Sequence, residues 1–119
     1  MGLDMGLSKK VITDHDLVYW RKANQIREWF VNNLENFQDE GETEVTEQNI
    51  RDLLEVCKEV QANHDKASEL LPVSEGFFFG SDEYDEWYFE QINETIEELE
   101  QVLENTDWDN EEIFYWEWY

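Results

Sequence analysis

The side chains that stand out chemically in this sequence are carboxylates, concentrated between Glu83 and Glu104. The acidic residues of this segment are Glu83, Asp85, Glu86, Glu90, Glu94, Glu97, Glu98, Glu100 and Glu104. Apolar residues recur among them at spacings of three and four, which indicates an amphipathic helix with its carboxylates on the outer faces. At a rise of ~1.5 Å per residue the helix presents a charge every ~3.7 Å, and one DNA strand presents a phosphate every ~3.4 Å. These carboxylates are therefore our candidate partner-binding residues.

Residues suited to catalysis or metal binding are few. Cys57 is the only cysteine, and neither His15 nor His64 lies in a catalytic motif. No glycine-rich phosphate loop is present, and acids are too abundant for any one pair to indicate acid–base chemistry. The segment from Asp107 to Glu112 begins like a calcium loop but lacks the central Gly and the distant Glu of an EF-hand. We predict a protein that is not an enzyme and has no cofactor or metal, with weak calcium binding at that segment left open.

The net charge of the chain is -23, far beyond the magnitude of about 2–8 that keeps a small domain soluble. Residues 1–37 are electrically balanced, and no Lys or Arg follows Lys66. Binding to nucleic acid or to anionic membranes is disfavoured, because both need clustered basic residues. Basic partners or divalent cations remain as ligands, and the alternative is an acidic surface that serves only solvation.

Length and composition favour one folded domain, residues 1–119, since aromatic residues make up 15% of the chain. A lone cysteine fits a reducing compartment. The sequence has neither an apolar stretch of ~20 residues nor the basic start and apolar core of a signal peptide, so we expect a cytoplasmic location. Homo-oligomerisation is left open.

Three helices are predicted from apolar periodicity and capping residues. The first begins at Asp14 or Asp16 and ends near Phe37, with Tyr19, Ala23, Ile26, Phe30, Leu34 and Phe37 on its apolar side. The second follows a polar loop at 38–45, begins after Thr46 and ends near Asn63, with Cys57 on its buried face. The third begins at Ser81 or Asp82 and ends near Asn105, and its apolar residues are Trp87, Tyr88, Ile92, Ile96, Leu99, Val102 and Leu103.

Strands are predicted at the two ends of the chain, over residues 3–12 and 113–119, because each carries apolar residues that need a partner to be buried. The aromatic run at 76–80 is a further candidate strand, and residues 67–71 are predicted to form one more helical turn before Pro72. The fold class is therefore α+β, with three helices packed on a small antiparallel sheet formed by the N- and C-terminal strands.

Several runs of this sequence resemble a family of short acidic phage and prophage proteins of unassigned function. They are Met1-Gly2-Leu3-Asp4-Met5, Tyr19-Trp20-Arg21-Lys22-Ala23-Asn24-Gln25-Ile26, Glu69-Leu70-Leu71-Pro72, Gly76-Phe77-Phe78-Phe79-Gly80-Ser81 and Glu83-Tyr84-Asp85-Glu86-Trp87-Tyr88-Phe89. The sequence departs from this family at Gly6, where an aromatic residue is expected. The resemblance implies a phage accessory protein made in a bacterial host cytoplasm, and it implies no activity.

The charge pattern and this context together predict an inhibitor of a host defence protein, of the anti-CRISPR or anti-restriction type. It would act as an acidic DNA mimic that blocks a nucleic-acid-binding groove, so its partner is a basic nucleic-acid-binding host protein such as a defence nuclease or its complex. The aromatic residues Trp87, Trp108, Trp116 and Trp118 are candidate anchors for the contact. The alternative is a phage structural or assembly adaptor whose acidity is incidental.

Overall fold

The computed structural model of the chain describes residues 2–9, 16–73 and 83–119. Its elements, in chain order, are β1 (Asp4–Ser8), β2 (Asp16–Arg21), α1 (Asn24–Asn33), β3 (Glu42–Val45), α2 (Glu47–Ala62), a 3-10 turn (His64–Lys66), α3 (Ala67–Leu70), α4 (Glu86–Asn105) and β4 (Ile113–Trp118). The predicted strand at 76–80 and the predicted caps Ser81 and Asp82 lie outside the described residues.

The four strands form one antiparallel sheet in the order β2-β1-β4-β3. The two central strands come from opposite ends of the chain, with Asp4 beside Trp118 and Ser8 beside Phe114. The α+β class and the pairing of the N- and C-terminal segments are therefore confirmed. The sheet is larger than predicted, because β2 and β3 flank the central pair.

The first predicted helix was wrong at both ends, because α1 ends at Asn33 and not near Phe37, and its predicted N-terminal third is a strand. Residues 16–21 form β2, and α1 begins only at Asn24. Val18 and Trp20 are buried whereas Tyr19 is 53% exposed, so the side chains alternate with the period of two that a strand requires. Lys22, with a positive φ of 55°, turns the chain between β2 and α1. The spacing of Tyr19 from Ala23 imitated a helical repeat across this turn.

The polar loop predicted at 38–45 was also wrong in its second half. Strand β3 pairs with β4, placing Val45 beside Ile113 and Thr43 beside Tyr115. Thr43 and Val45 are buried, whereas Glu42 and Glu44 alternate with them on the other side of the strand. The described residues contain four α-helices rather than the three predicted, since the turn predicted before Pro72 is the short α3.

Helix α2 begins where its capping residues predict. The Thr46 side chain accepts a hydrogen bond from the Asn49 N–H, and the Asn49 side chain accepts one from the Thr46 N–H, which closes a capping box. Cys57 lies on the buried face, as predicted. The buried residues of the helix are Ile50, Leu53, Leu54, Cys57 and Val60. Burial raises the pKa of the Cys57 thiol to about 12, so the thiol is protonated at neutral pH.

The core lies between the helices and one face of the sheet, which we call the inner face. Phe30 of α1 stacks on Tyr115 of β4 with ring centroids 4.2 Å apart. Helix α4 is joined to β2 by a buried hydrogen bond of 2.9 Å from the Trp20 indole N–H to the Thr95 hydroxyl. These contacts hold α4 over the sheet with its opposite side facing solvent.

A buried ion pair also lies on the inner face. Glu117 is fully buried, and its two carboxylate oxygens accept hydrogen bonds of 2.9 and 3.2 Å from the Arg27 guanidinium. The Tyr115 hydroxyl and the Glu40 N–H also donate to this carboxylate, at 2.8 and 3.0 Å. These hydrogen bonds connect three segments, namely α1, β4 and the loop that precedes β3.

Candidate partner-binding surface

Helix α4 carries most of the candidate carboxylates, but its start differs from the prediction. The Asp85 side chain caps the helix by accepting a hydrogen bond of 3.1 Å from the Tyr88 N–H, and the helix begins at Glu86. Glu83 and Asp85 therefore precede the helix and do not lie on its faces. The Tyr88 hydroxyl donates to the Leu71 carbonyl at 2.7 Å, which ties this end of α4 to the segment after α3.

The remaining carboxylates occupy the outer side of α4, as predicted. Glu86, Glu90, Glu94, Glu97, Glu100 and Glu104 are exposed, and Glu98 is half-buried. The buried side of the helix consists of Tyr88, Gln91, Ile92, Thr95, Leu99 and Val102. Trp87, predicted to lie among the apolar residues of this helix, is 59% exposed and does not belong to its buried side.

The charges on α4 have few basic neighbours. Lys58 of α2 lies 3.5 Å from Glu100 and forms an ion pair with it. Burial raises the pKa of Glu98, and repulsion from Glu94 and Glu97 raises it further. Seven carboxylates over a helix of about 30 Å give one charge per ~4 Å of axis, slightly less dense than the sequence predicted.

The neighbouring helix α2 has exposed charges of both signs, namely Asp52, Glu55 and Glu59 together with Arg51 and Lys58. Beside it, α4 borders an open cleft lined by Gln61, His64, Glu86, Phe89, Glu90, Asn93 and Glu94. The His64 ring stacks on Phe89 with centroids 3.7 Å apart and planes inclined by 12°. This contact was not predicted, because no local sequence pattern relates His64 to a ring on another helix.

The four tryptophans predicted as anchors do not form one group. Trp87 lies on α4, whereas Trp116 and Trp118 alternate with the buried residues of β4 and so lie on the outer face of the sheet. Trp108 is partly buried against the core. The acidic helix and the outer-face tryptophans of β4, of which Trp118 is exposed and Trp116 half-buried, are therefore separate surfaces.

The segment from Asp107 to Glu112 forms a hydrogen-bonded turn. The Asp107 carboxylate accepts bonds from the Asp109 N–H and the Asn110 side-chain amide, at 3.3 and 2.8 Å. Glu111 pairs with Lys9 at 2.7 Å, and this lysine lowers the pKa of the Glu111 carboxyl. Within the described ranges, no three His, Cys, Asp or Glu residues are grouped in a way that suits a metal ion.

Across the part of the chain that the structure describes, no helix combines the length and the apolar character needed to cross a bilayer. Comparisons with protein-family models, with curated proteins and with solved structures found no match to this chain.

Proposed function

We propose that this chain is a phage-encoded inhibitor of a bacterial defence protein, acting in the host cytoplasm as an acidic mimic of DNA. The observation that carries the proposal is the row of exposed carboxylates on α4 in a chain with no Lys or Arg beyond Lys66. A rigid helix of about 30 Å with a charge every ~4 Å fits a groove lined by Lys and Arg. The partner is then a basic nucleic-acid-binding protein, such as a CRISPR effector or a restriction enzyme.

Repulsion among like charges argues that this surface has a use. Glu86, Glu90 and Glu94 are spaced four residues apart, so consecutive members are neighbours on the helix surface. Each such pair of like charges destabilises the helix by about 0.2–0.5 kcal/mol. Farther along the helix, Glu97, Glu98 and Glu100 lie close together in sequence. Among the described contacts, Glu100 alone of these three forms an ion pair. A basic groove would relieve this repulsion on binding, which adds to the affinity.

The test is a variant in which Glu86, Glu90, Glu94 and Glu97 are all replaced by Lys. All four are exposed and belong to no ion pair given by the structure, so folding is expected to be retained. The measurement is inhibition of DNA cleavage by a panel of purified CRISPR effectors and restriction enzymes. We expect the wild type to inhibit at least one of them in competition with DNA, and the variant to lose inhibition.

A matched control has the same change of charge elsewhere, with Glu35, Glu69, Asp109 and Glu112 replaced by Lys. These residues are exposed and lie outside α2 and α4, so the control should keep most of its inhibition. Inhibition by the wild type should weaken as salt rises, because the Debye length shrinks from ~10 Å at 0.1 M to ~3 Å at 1 M. Equal inhibition by the wild type and the α4 variant would refute the mimic and favour the adaptor alternative.

A further inference from the structure

The outer face of the sheet carries a group of aromatic side chains that the acidic helix does not use. Its members are Tyr19 of β2 and Phe114, Trp116 and Trp118 of β4, and we call them the aromatic sheet face. Tyr19 stacks on Trp116 with ring centroids 6.2 Å apart and planes inclined by 26°. Tyr19 and Trp118 are 53% and 50% exposed, so no described helix covers them. Phe114 and Trp116 of the same face are half-buried. Aromatic residues that remain partly or largely exposed on one face are typical of an interaction surface.

Gly6 of β1 makes this arrangement possible. It lies between Tyr19 and Trp116 in the sheet, and a Cβ atom built there would come within 2.8 Å of the Trp116 ring. The same atom would lie 2.4 Å from the Val18 carbonyl oxygen. The Trp116 indole therefore occupies the space that a side chain at position 6 would fill, and with Tyr19 it forms an aromatic platform over β1.

Carboxylates surround this platform. Asp4 pairs with Trp118 in the sheet and accepts a hydrogen bond of 2.5 Å from the Tyr19 hydroxyl. Glu42 and Glu44 of β3 lie beside Trp116 and Phe114 on the same face. Arg21, next to Asp4, is the one basic residue at these register positions. Aromatic faces and carboxylates both attract cations, so the two features of this surface select the same kind of ligand.

We propose that the aromatic sheet face is a second contact surface, which binds a protein segment carrying exposed arginines. A guanidinium can stack on Tyr19, Trp116 or Trp118 while a carboxylate of Asp4, Glu42 or Glu44 accepts its hydrogen bonds. A second copy of this chain is disfavoured as the occupant, because each copy carries a charge of -23. Nucleic acid and anionic lipid are disfavoured by the same carboxylates. This surface is separate from α4 and does not depend on the proposed mimicry.

The test uses the variant with four Lys on α4, which removes the competing acidic site, and a peptide in which Arg alternates with Ser. Binding is followed by the indole N–H signals in nuclear magnetic resonance spectra. We expect the peptide to shift the signals of Trp116 and Trp118 more than that of Trp87. Trp118→Ala should weaken binding by about threefold to tenfold, as expected for the loss of one cation–aromatic contact.

Trp87→Ala is the matched control, since Trp87 is 59% exposed but lies on α4, and it should leave the affinity unchanged. Tyr19→Leu keeps an apolar side chain on β2 while removing the ring, so it provides a second, less disruptive variant. The proposal is overturned if Trp118→Ala and Trp87→Ala weaken binding equally, or if a peptide of Glu and Ser shifts the same signals. Shifts of the Trp116 and Trp118 signals that depend on protein concentration without peptide would also overturn it, since the occupant would then be a second copy.

Discussion

Replacing Arg27 by Met should destabilise the fold far more than replacing an exposed arginine. The Glu117 carboxylate is fully buried, and Arg27, with its side chain only 12% exposed, supplies two of the four hydrogen bonds that it accepts. Removing one partner of a buried ion pair leaves an uncompensated charge and costs about 3–5 kcal/mol. The free energy of unfolding, measured in urea by tryptophan fluorescence, should fall by that amount.

Two further variants separate this explanation from a general effect of losing an arginine. Arg51→Met removes the same charge from an exposed pair with Glu47 and should cost less than about 1 kcal/mol. In the double variant Arg27→Met with Glu117→Gln, the amide removes the unpaired charge, so the loss should be smaller than in Arg27→Met by about 1.5 kcal/mol or more. A double variant less stable than the single one, or an Arg27→Met protein as stable as Arg51→Met, would refute the reasoning.

Two more substitutions test the core and the sheet. Cys57→Ala should lower the free energy of unfolding by about 1–2 kcal/mol without changing any binding. Because the pKa of the native thiol is raised to about 12, this thiol should react with a thiol reagent at pH 8 far more slowly than the thiol of the unfolded chain. The pKa of the Cys57 thiol is higher in the folded than in the unfolded chain, so its contribution to stability is present at pH values below the unfolded-state pKa. This contribution is lost as the pH rises toward the folded-state value of about 12. Gly6→Ala should lower the melting temperature and cost about 1–3 kcal/mol, because its Cβ would meet the Val18 carbonyl oxygen at 2.4 Å. Gly2→Ala meets only the flexible Lys22 side chain and should be nearly neutral, so equal losses in the two variants would contradict the account of Gly6.

The elements that could be predicted from the sequence are those whose signals are local. Helix α2 has its cap at Thr46 and an apolar face at spacings of three and four, and both were predicted. Strand β2 was missed because its last residues and the start of α1 together imitate one helical repeat. A strand followed by a helix differs here from one long helix by the turn at Lys22. The positive φ of this turn is not indicated by a glycine in the sequence.

The candidate surfaces divide in the same way. The exposure of the α4 carboxylates follows from helical periodicity and was predicted, except that Glu98 is half-buried. Glu83 and Asp85 are exposed as well, but they precede the helix. The aromatic sheet face depends on the register between β2, β1 and β4, so Tyr19 and Trp116 could not be related from the sequence. The Arg27 pair with Glu117 joins residues 90 positions apart, and it was equally beyond reach of local patterns.

The central position of β1 and β4 has a consequence for the order of events during synthesis. Strand β1 begins at Asp4, whereas its neighbour β4 ends only at Trp118, so most of the described chain is synthesised between them. At a translation rate of 5–20 residues per second, the edge of β1 that will receive β4 stays unpaired for roughly 5–20 s. Long-range pairing of this kind slows folding and leaves a strand edge open to other chains. Until β4 has left the ribosome, the net charge of -23 opposes pairing of this edge with a neighbouring copy of the chain.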